Sequence, residues 1–189
     1  MNLTMSPDNL VLIESVIEVL NQGETLLAEI ENDDYIRKLP GALNASIGGH
    51  YRHCLDHFRS LLQAASADGL NYDHRERGTP VESDRFAALN ATRELRTAYQ
   101  RLSVPCLSRK LHVTCKTSYA TNDSQTAGST VAREVMYVVA HAVHHYALIG
   151  IMGGMLGLKM PDGFGVAPST VKFRSGLSKA LVGSSYSGR

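Results

Sequence analysis

Apolar residues recur near the start of the chain at Leu10, Ile13, Ile17, Leu20, Leu26, Leu27 and Ile30, spacings that draw one face of an α-helix. Ser6-Pro7-Asp8 precedes them as an N-cap serine, a proline at the first helical position and a first-turn acid, so a helix from about 7 to 31 is expected. Residues 32–44, with Pro40-Gly41, form a connection, and Ser46 caps a second helix to about Ala67 with Leu55, Phe58, Leu61 and Leu62 on its apolar stripe. The polar, turn-rich run 68–80 leads to a third helix that starts at Ser83 or Asp84 and ends near Leu102. Residues 111–119 alternate and are rich in β-branched side chains, which predicts a short strand or hairpin near 111–120. Ser129 or Thr130 caps a fourth helix to about Leu156. Beyond Gly163 the chain is rich in Gly, Ser and Pro and is expected to wrap the surface and fray, giving one domain over 1–175 and a flexible tail over 176–189. No internal repeat interrupts this order. Four long helices with one interruption favour an all-α four-helix bundle carrying a short β-hairpin insertion.

The last long helix admits a second reading. Val135 to Leu158 contains no Asp, Glu, Lys or Arg, and Gly150/Gly154 and Gly153/Gly157 have Gly-x-x-x-Gly spacing, as a membrane span can. Three histidines inside the segment, and no second comparable span, argue instead for an apolar helix at the centre of a bundle whose polar groups face an internal site.

The rest of the composition narrows the function classes. With 189 residues, 43% hydrophobic and 20% charged, the chain can bury a sizeable core in one domain. Nineteen Lys and Arg against 18 Asp and Glu, with no basic run, exclude the electrostatic footprint of a nucleic-acid binder. Residues 1–9 lack the basic start and apolar core of a signal peptide, and Cys54, Cys106 and Cys115 make an odd count without Cys-x-x-Cys. Free thiols in a reducing cytoplasm are expected. Cys54 is turned about 100° from His53 and reads as a small core residue.

Six of the eight histidines fall in two helical clusters, and these carry the chemistry. His50, His53 and His57 are spaced i, i+3 and i+7, and His141 and His145 are i, i+4 with His144 on the flank. Side chains three or four apart on a helix lie about 5–6 Å from each other at Cβ. Two imidazoles so placed can reach one ion, whose bonds to histidine nitrogen are about 2.0–2.1 Å. Two such helices side by side would supply three or more nitrogens. The plainer alternative is a seam of hydrogen-bonded histidines between helices. His74 and His112 are isolated and read as ordinary surface or structural residues. A three-histidine site leaves positions open for water or substrate, as in catalytic zinc, nickel or iron centres, and imidazole also suits copper. Asp56 is either an acceptor behind a ligand histidine, a general base, or a surface acid. Arg52, Arg75 and Arg77 are candidates to steer an anionic substrate, against the commoner outcome of solvated surface arginines.

Ser46-Ile-Gly-Gly-His-Tyr-Arg-His-Cys-Leu-Asp56 and His141-Ala-Val-His-His145 resemble the DinB/YfiT-like superfamily of bacterial four-helix-bundle metalloproteins, over about residues 8–175. The resemblance implies an up-down-down-up bundle in which one histidine of the second helix and a His-x-x-x-His pair of the last long helix hold a single divalent ion. Matched motif to motif, these are His53, His141 and His145, with His50 competing for the first position. Better-studied relatives are metal-dependent thiol transferases that use bacillithiol or mycothiol, or a thiol-dependent isomerase. Many of them continue the second motif with Arg-Gly-Gln, where this chain has Tyr146-Ala147-Leu148. Residues 71–77 and 163–170 resemble an uncharacterised branch.

Three function classes follow. The first is a metal-dependent enzyme that activates water or a low-molecular-weight thiol for thiol transfer or for hydrolysis of a small molecule. The second is a non-catalytic metal-binding or stress-response protein in which the ion clamps two helices. The third is a haem or flavin pocket lined by histidines. The expected partners are a small-molecule substrate and, as an open alternative, a second copy of the chain. Neither nucleic acid nor membrane is expected.

Overall fold

The computed structural model describes residues 7–67, 69–74 and 78–184. It is mostly helical with one small sheet. The long helices are α1 (Pro7–Glu29), α3 (Ile47–Ala64), α5 (Arg85–Gln100) and α7 (Val131–Met155), joined by the short α2 (Asn32–Ile36), α4 (Pro80–Ser83) and α6 (Val104–Leu107) and followed by α8 (Pro168–Ser184). Caps set the starts. The Ser46 side chain accepts from the Gly49 N–H, Asp84 from Phe86 and Thr130 from Arg133. Ser6, the expected cap of α1, lies outside the described residues.

α1 packs on α5 and α7, and α3 packs on the same two, so the four long helices close a ring around one core. Cross-helix bonds fix the pair directions. On α1, Glu24 pairs with Arg93 and Arg96 while the Leu27 carbonyl accepts from Arg85, so α1 and α5 run antiparallel. Tyr51 meets Thr92 and the Phe58 carbonyl accepts from Tyr99, so α3 and α5 run parallel. His50 meets His145 and His53 meets His141, so α3 and α7 run antiparallel.

The stripe α1 buries is Val16, Val19, Leu20, Leu26 and Leu27, continued by Ile30 just beyond its end. Leu10 is exposed and Ile13 and Ile17 sit at the edge of the core, so the buried face is rotated from the one the sequence pattern suggests. Its centre is Gly23. A Cβ there would stand 2.2 Å from the Tyr51 hydroxyl and 2.4 Å from that of Tyr146, both fully buried. Gly23→Ala gains about 1 kcal/mol of helix propensity but must displace two packed rings. Overpacking of this kind costs about 1–3 kcal/mol, so a net loss of stability is expected. A urea midpoint at or above that of the unsubstituted chain would contradict the packing.

The hairpin expected near 111–120 is longer. β2 (Lys110–Lys116) pairs antiparallel with β3 (Ser124–Thr130), from Lys110 opposite Thr130 to Lys116 opposite Ser124, and β3 runs directly into α7. β3 is polar and almost wholly exposed, so no alternation of apolar side chains announces it. β1 (Gly69–Asn71) adds to the sheet parallel to β2. The segment after Gly163, expected to wrap the surface and fray, contains α8, with Pro168 at its first position and the Ala167 carbonyl accepting from Thr170 and Val171.

α7 has the length and hydropathy of a membrane-crossing helix, and 33% of its most apolar window is buried. It occupies one corner of the ring rather than its centre. Val135, Val138, Ala142, Tyr146 and Ile149 face inward, while Met136, Ile151 and Met155 are exposed.

Candidate metal centre

α3 and α7 lie antiparallel, and this brings the two histidine clusters face to face. His53 and His141 approach with their Nε2 atoms 3.0 Å apart. One nitrogen from each of His53, His141 and His145 lies within 4.8 Å of the other two. Two nitrogens bonded to one tetrahedral ion at 2.0–2.1 Å stand about 3.3 Å apart. The His53–His141 spacing is close to that already, and a small rotamer adjustment would bring in His145. The donor set is three imidazoles, all partly exposed. It fits zinc, nickel, iron or copper better than calcium or magnesium, which prefer oxygen.

The remaining histidines surround this trio in different ways. His57 is buried, and its Nδ1–H donates to the His53 carbonyl at 3.0 Å. Its ring is sandwiched between His141, at 4.1 Å between centroids, and Tyr72, at 4.8 Å. Tyr137 packs beside this stack, with its ring 5.7 Å from His141, 6.2 Å from His57 and 5.1 Å from Tyr72. His57, Tyr72 and Tyr137 thus form an aromatic wall on one side of the trio. On the other side, His50 meets His145 with Nδ1 atoms 2.9 Å apart. Partial burial, reinforced by nearby His144, holds the His50 imidazole below its ordinary pKa. His144 is exposed and edge-on to His145.

Asp56 does not stand at the surface. The residue is 6% exposed, and its carboxylate accepts from Arg52 at one oxygen and from Arg59 at the other. Arg52 also binds Glu82 of α4 at 2.9 Å, so the network pins α4 to α3. Arg52 is therefore engaged in a largely buried ion-pair network. Arg75 and Arg77 lie outside the described residues. Cys54 is fully buried and burial pushes its thiol well above the usual range, as suits a core residue.

Two features have little signature in sequence. Glu134, seven residues before His141 on the same face of α7, is 1% exposed and accepts from the Tyr72 hydroxyl at 2.9 Å, the Ser129 hydroxyl at 2.6 Å and Arg133 at 2.8 Å. It ties the loop after β1, the end of β3 and the start of α7 together beneath the histidines. A lone acid at the edge of an otherwise apolar run was its only sequence signal. The second is a cavity of about 600 Å³ lined by Asp56, Arg59, Ser60, Gln63 and His74, together with residues 79–81. None of the three converging histidines lines it.

Comparison with known proteins decides the family. The model of the DinB family matches residues 5–162. The chain belongs to the DinB family. Membership together with the three-histidine cluster fits a metal-binding protein. FK506-binding protein 5 of the fungus Rhizopus delemar is 35% identical over 103 residues, which are 54% of this chain and 27% of that protein. The chain thus matches about a quarter of that relative's length. No solved structure matches.

Proposed function

We propose that His53, His141 and His145 hold one divalent ion between α3 and α7, and that the site serves a small-molecule enzyme. The observation that carries this reading is the convergence of three partly exposed imidazoles within 4.8 Å. The directions of the helix pairs support the rest of the frame. With α1 antiparallel to α5, α5 parallel to α3 and α3 antiparallel to α7, the ring reads as an up-down-down-up bundle. We read α7 as a bundle helix rather than a span, because His141, His145 and the buried Glu134 face neighbouring elements.

A divalent ion in such a site lowers the pKa of water towards about 7 and favours a thiolate in the same way. The chain's own groups present three neutral ligands and leave the ion's charge uncompensated, which suits an anionic nucleophile. The ring wall of His57, Tyr72 and Tyr137 shields one side, so reactants enter from the other. The reaction class that follows is attack of a low-molecular-weight thiol, or of water, on a small electrophile. Zinc, nickel and iron all fit. The three cysteines, none in a disulfide, suit a reducing cytoplasm. FK506 binding, named for the fungal relative, is not carried over from a match to 27% of that protein.

One observation favours a structural ion instead: the 600 Å³ cavity is not lined by the three histidines. The two readings part in one assay. Protein purified without a nickel column and loaded with zinc, nickel or manganese is offered a generic electrophile with several thiols, and esters and amides with water. A metal-dependent rate that His141→Ala abolishes is expected. Metal-loaded protein without such a rate in any pairing leaves the ion a helix clamp.

A further inference from the structure

His50 sits one turn before His53 on α3, and the group of three converging nitrogens does not include it. Its Nδ1 lies 2.9 Å from Nδ1 of His145, with the rings 5.1 Å apart and tilted by 43°. Two imidazole nitrogens at that distance share one proton, so one is an N–H donor and the other presents its lone pair. The contact occupies Nδ1 of His145 and leaves Nε2 as its remaining nitrogen. A histidine that ligates through Nε2 carries its proton on Nδ1 and commonly donates it to an acceptor that fixes the tautomer and the ring plane.

We propose that His50 is a positioning residue that accepts the Nδ1–H of His145 and thereby presents Nε2 of His145 to the ion. The inference rests on the three-histidine reading. It also assigns His50 a role distinct from ligation, although it lies in the same cluster as His53. The usual acceptor behind a ligand histidine is a carboxylate or a backbone carbonyl. A neutral imidazole in that place holds the ring without adding negative charge, which keeps the ion strongly electrophilic. His144, exposed on the flank of His145, serves as the control.

The test uses the full chain and His50→Ala, His50→Gln and His144→Ala, each titrated with zinc against a competing chelator and then loaded with cobalt(II). One equivalent of metal is expected in all four. Affinity should fall about 10–100-fold in His50→Ala, recover in large part in His50→Gln, whose side-chain carbonyl can accept the same N–H, and stay unchanged in His144→Ala. Nitrogen-15 correlation spectra of the zinc-loaded, unsubstituted chain should show His145 protonated at Nδ1, a readout that needs no variant to fold. Undiminished affinity in His50→Ala, or protonation of His145 at Nε2, overturns the proposal. So does loss of the whole equivalent in His50→Ala with an altered cobalt spectrum in His50→Gln, because His50 is then a ligand. An unsubstituted chain that takes up no metal is a different result, and it removes the three-histidine reading itself.

Discussion

Chelation should lower the melting temperature of the metal-loaded protein by roughly 5–11 °C, and restoring the ion should restore it. An ion held by His53, His141 and His145 would bridge α3 and α7, which pack together and bring these residues from two distant parts of the chain. A ligand that binds only the folded state stabilises it by about 2.7 kcal/mol when present at 100 times its dissociation constant. For a chain of this size about 1 kcal/mol moves the midpoint by roughly 2–4 °C. His141→Ala and His145→Ala should melt near the chelated value and show no further response to chelator, since the sensitivity resides in the ion. The measurement is paired, metal content beside calorimetry. Full metal occupancy in both variants would remove these two residues from the site, and an unchanged midpoint on chelation would show that the helices need no clamp.

Much of the frame behind that prediction was legible in the sequence, for local reasons. Ser46 and Thr130 announce helix starts because capping is a contact between residues three apart. The histidine spacings announce a shared face because helix geometry is local too. What could not be read is the partnering across elements. That His53 faces His141 while His50 faces His145 depends on the register between α3 and α7, which is set by packing of the whole ring. The buried face of α1 is decided in the same way. Gly23 lets two tyrosine hydroxyls approach the helix, so Val16, Val19 and Leu20 turn inward and Leu10 is left exposed. Glu134 and Tyr72 are 62 residues apart in sequence, and neither implies the other. β1, three residues long, is a strand only because β2 lies beside it.

Asp56 illustrates how spacing alone leaves the role of a residue beside the histidine cluster open. It follows His53 by three positions, as an acceptor behind a ligand would, yet its carboxylate is taken up by Arg52 and Arg59. The Arg52 and Asp56 side chains are 12% and 7% exposed, so little solvent screens the pair. Removing one member of a buried ion pair costs about 3–5 kcal/mol, because the other charge is left without its partner. Arg52 keeps Glu82, whose side chain is 38% exposed, and Arg59 is 40% exposed and regains solvent. The lower end, about 3 kcal/mol, is therefore expected for Asp56→Ala, or roughly 6–12 °C in midpoint. Asp56→Asn keeps one acceptor oxygen and should lose less. Measured in excess chelator, the loss should persist in full, while metal stoichiometry in both variants equals that of the unsubstituted chain. A variant with normal stability in chelator but weakened metal binding would reverse the assignment and place Asp56 behind a ligand histidine. The expected result is the opposite: the acid acts through Arg52 on the α3–α4 junction and leaves metal binding unchanged.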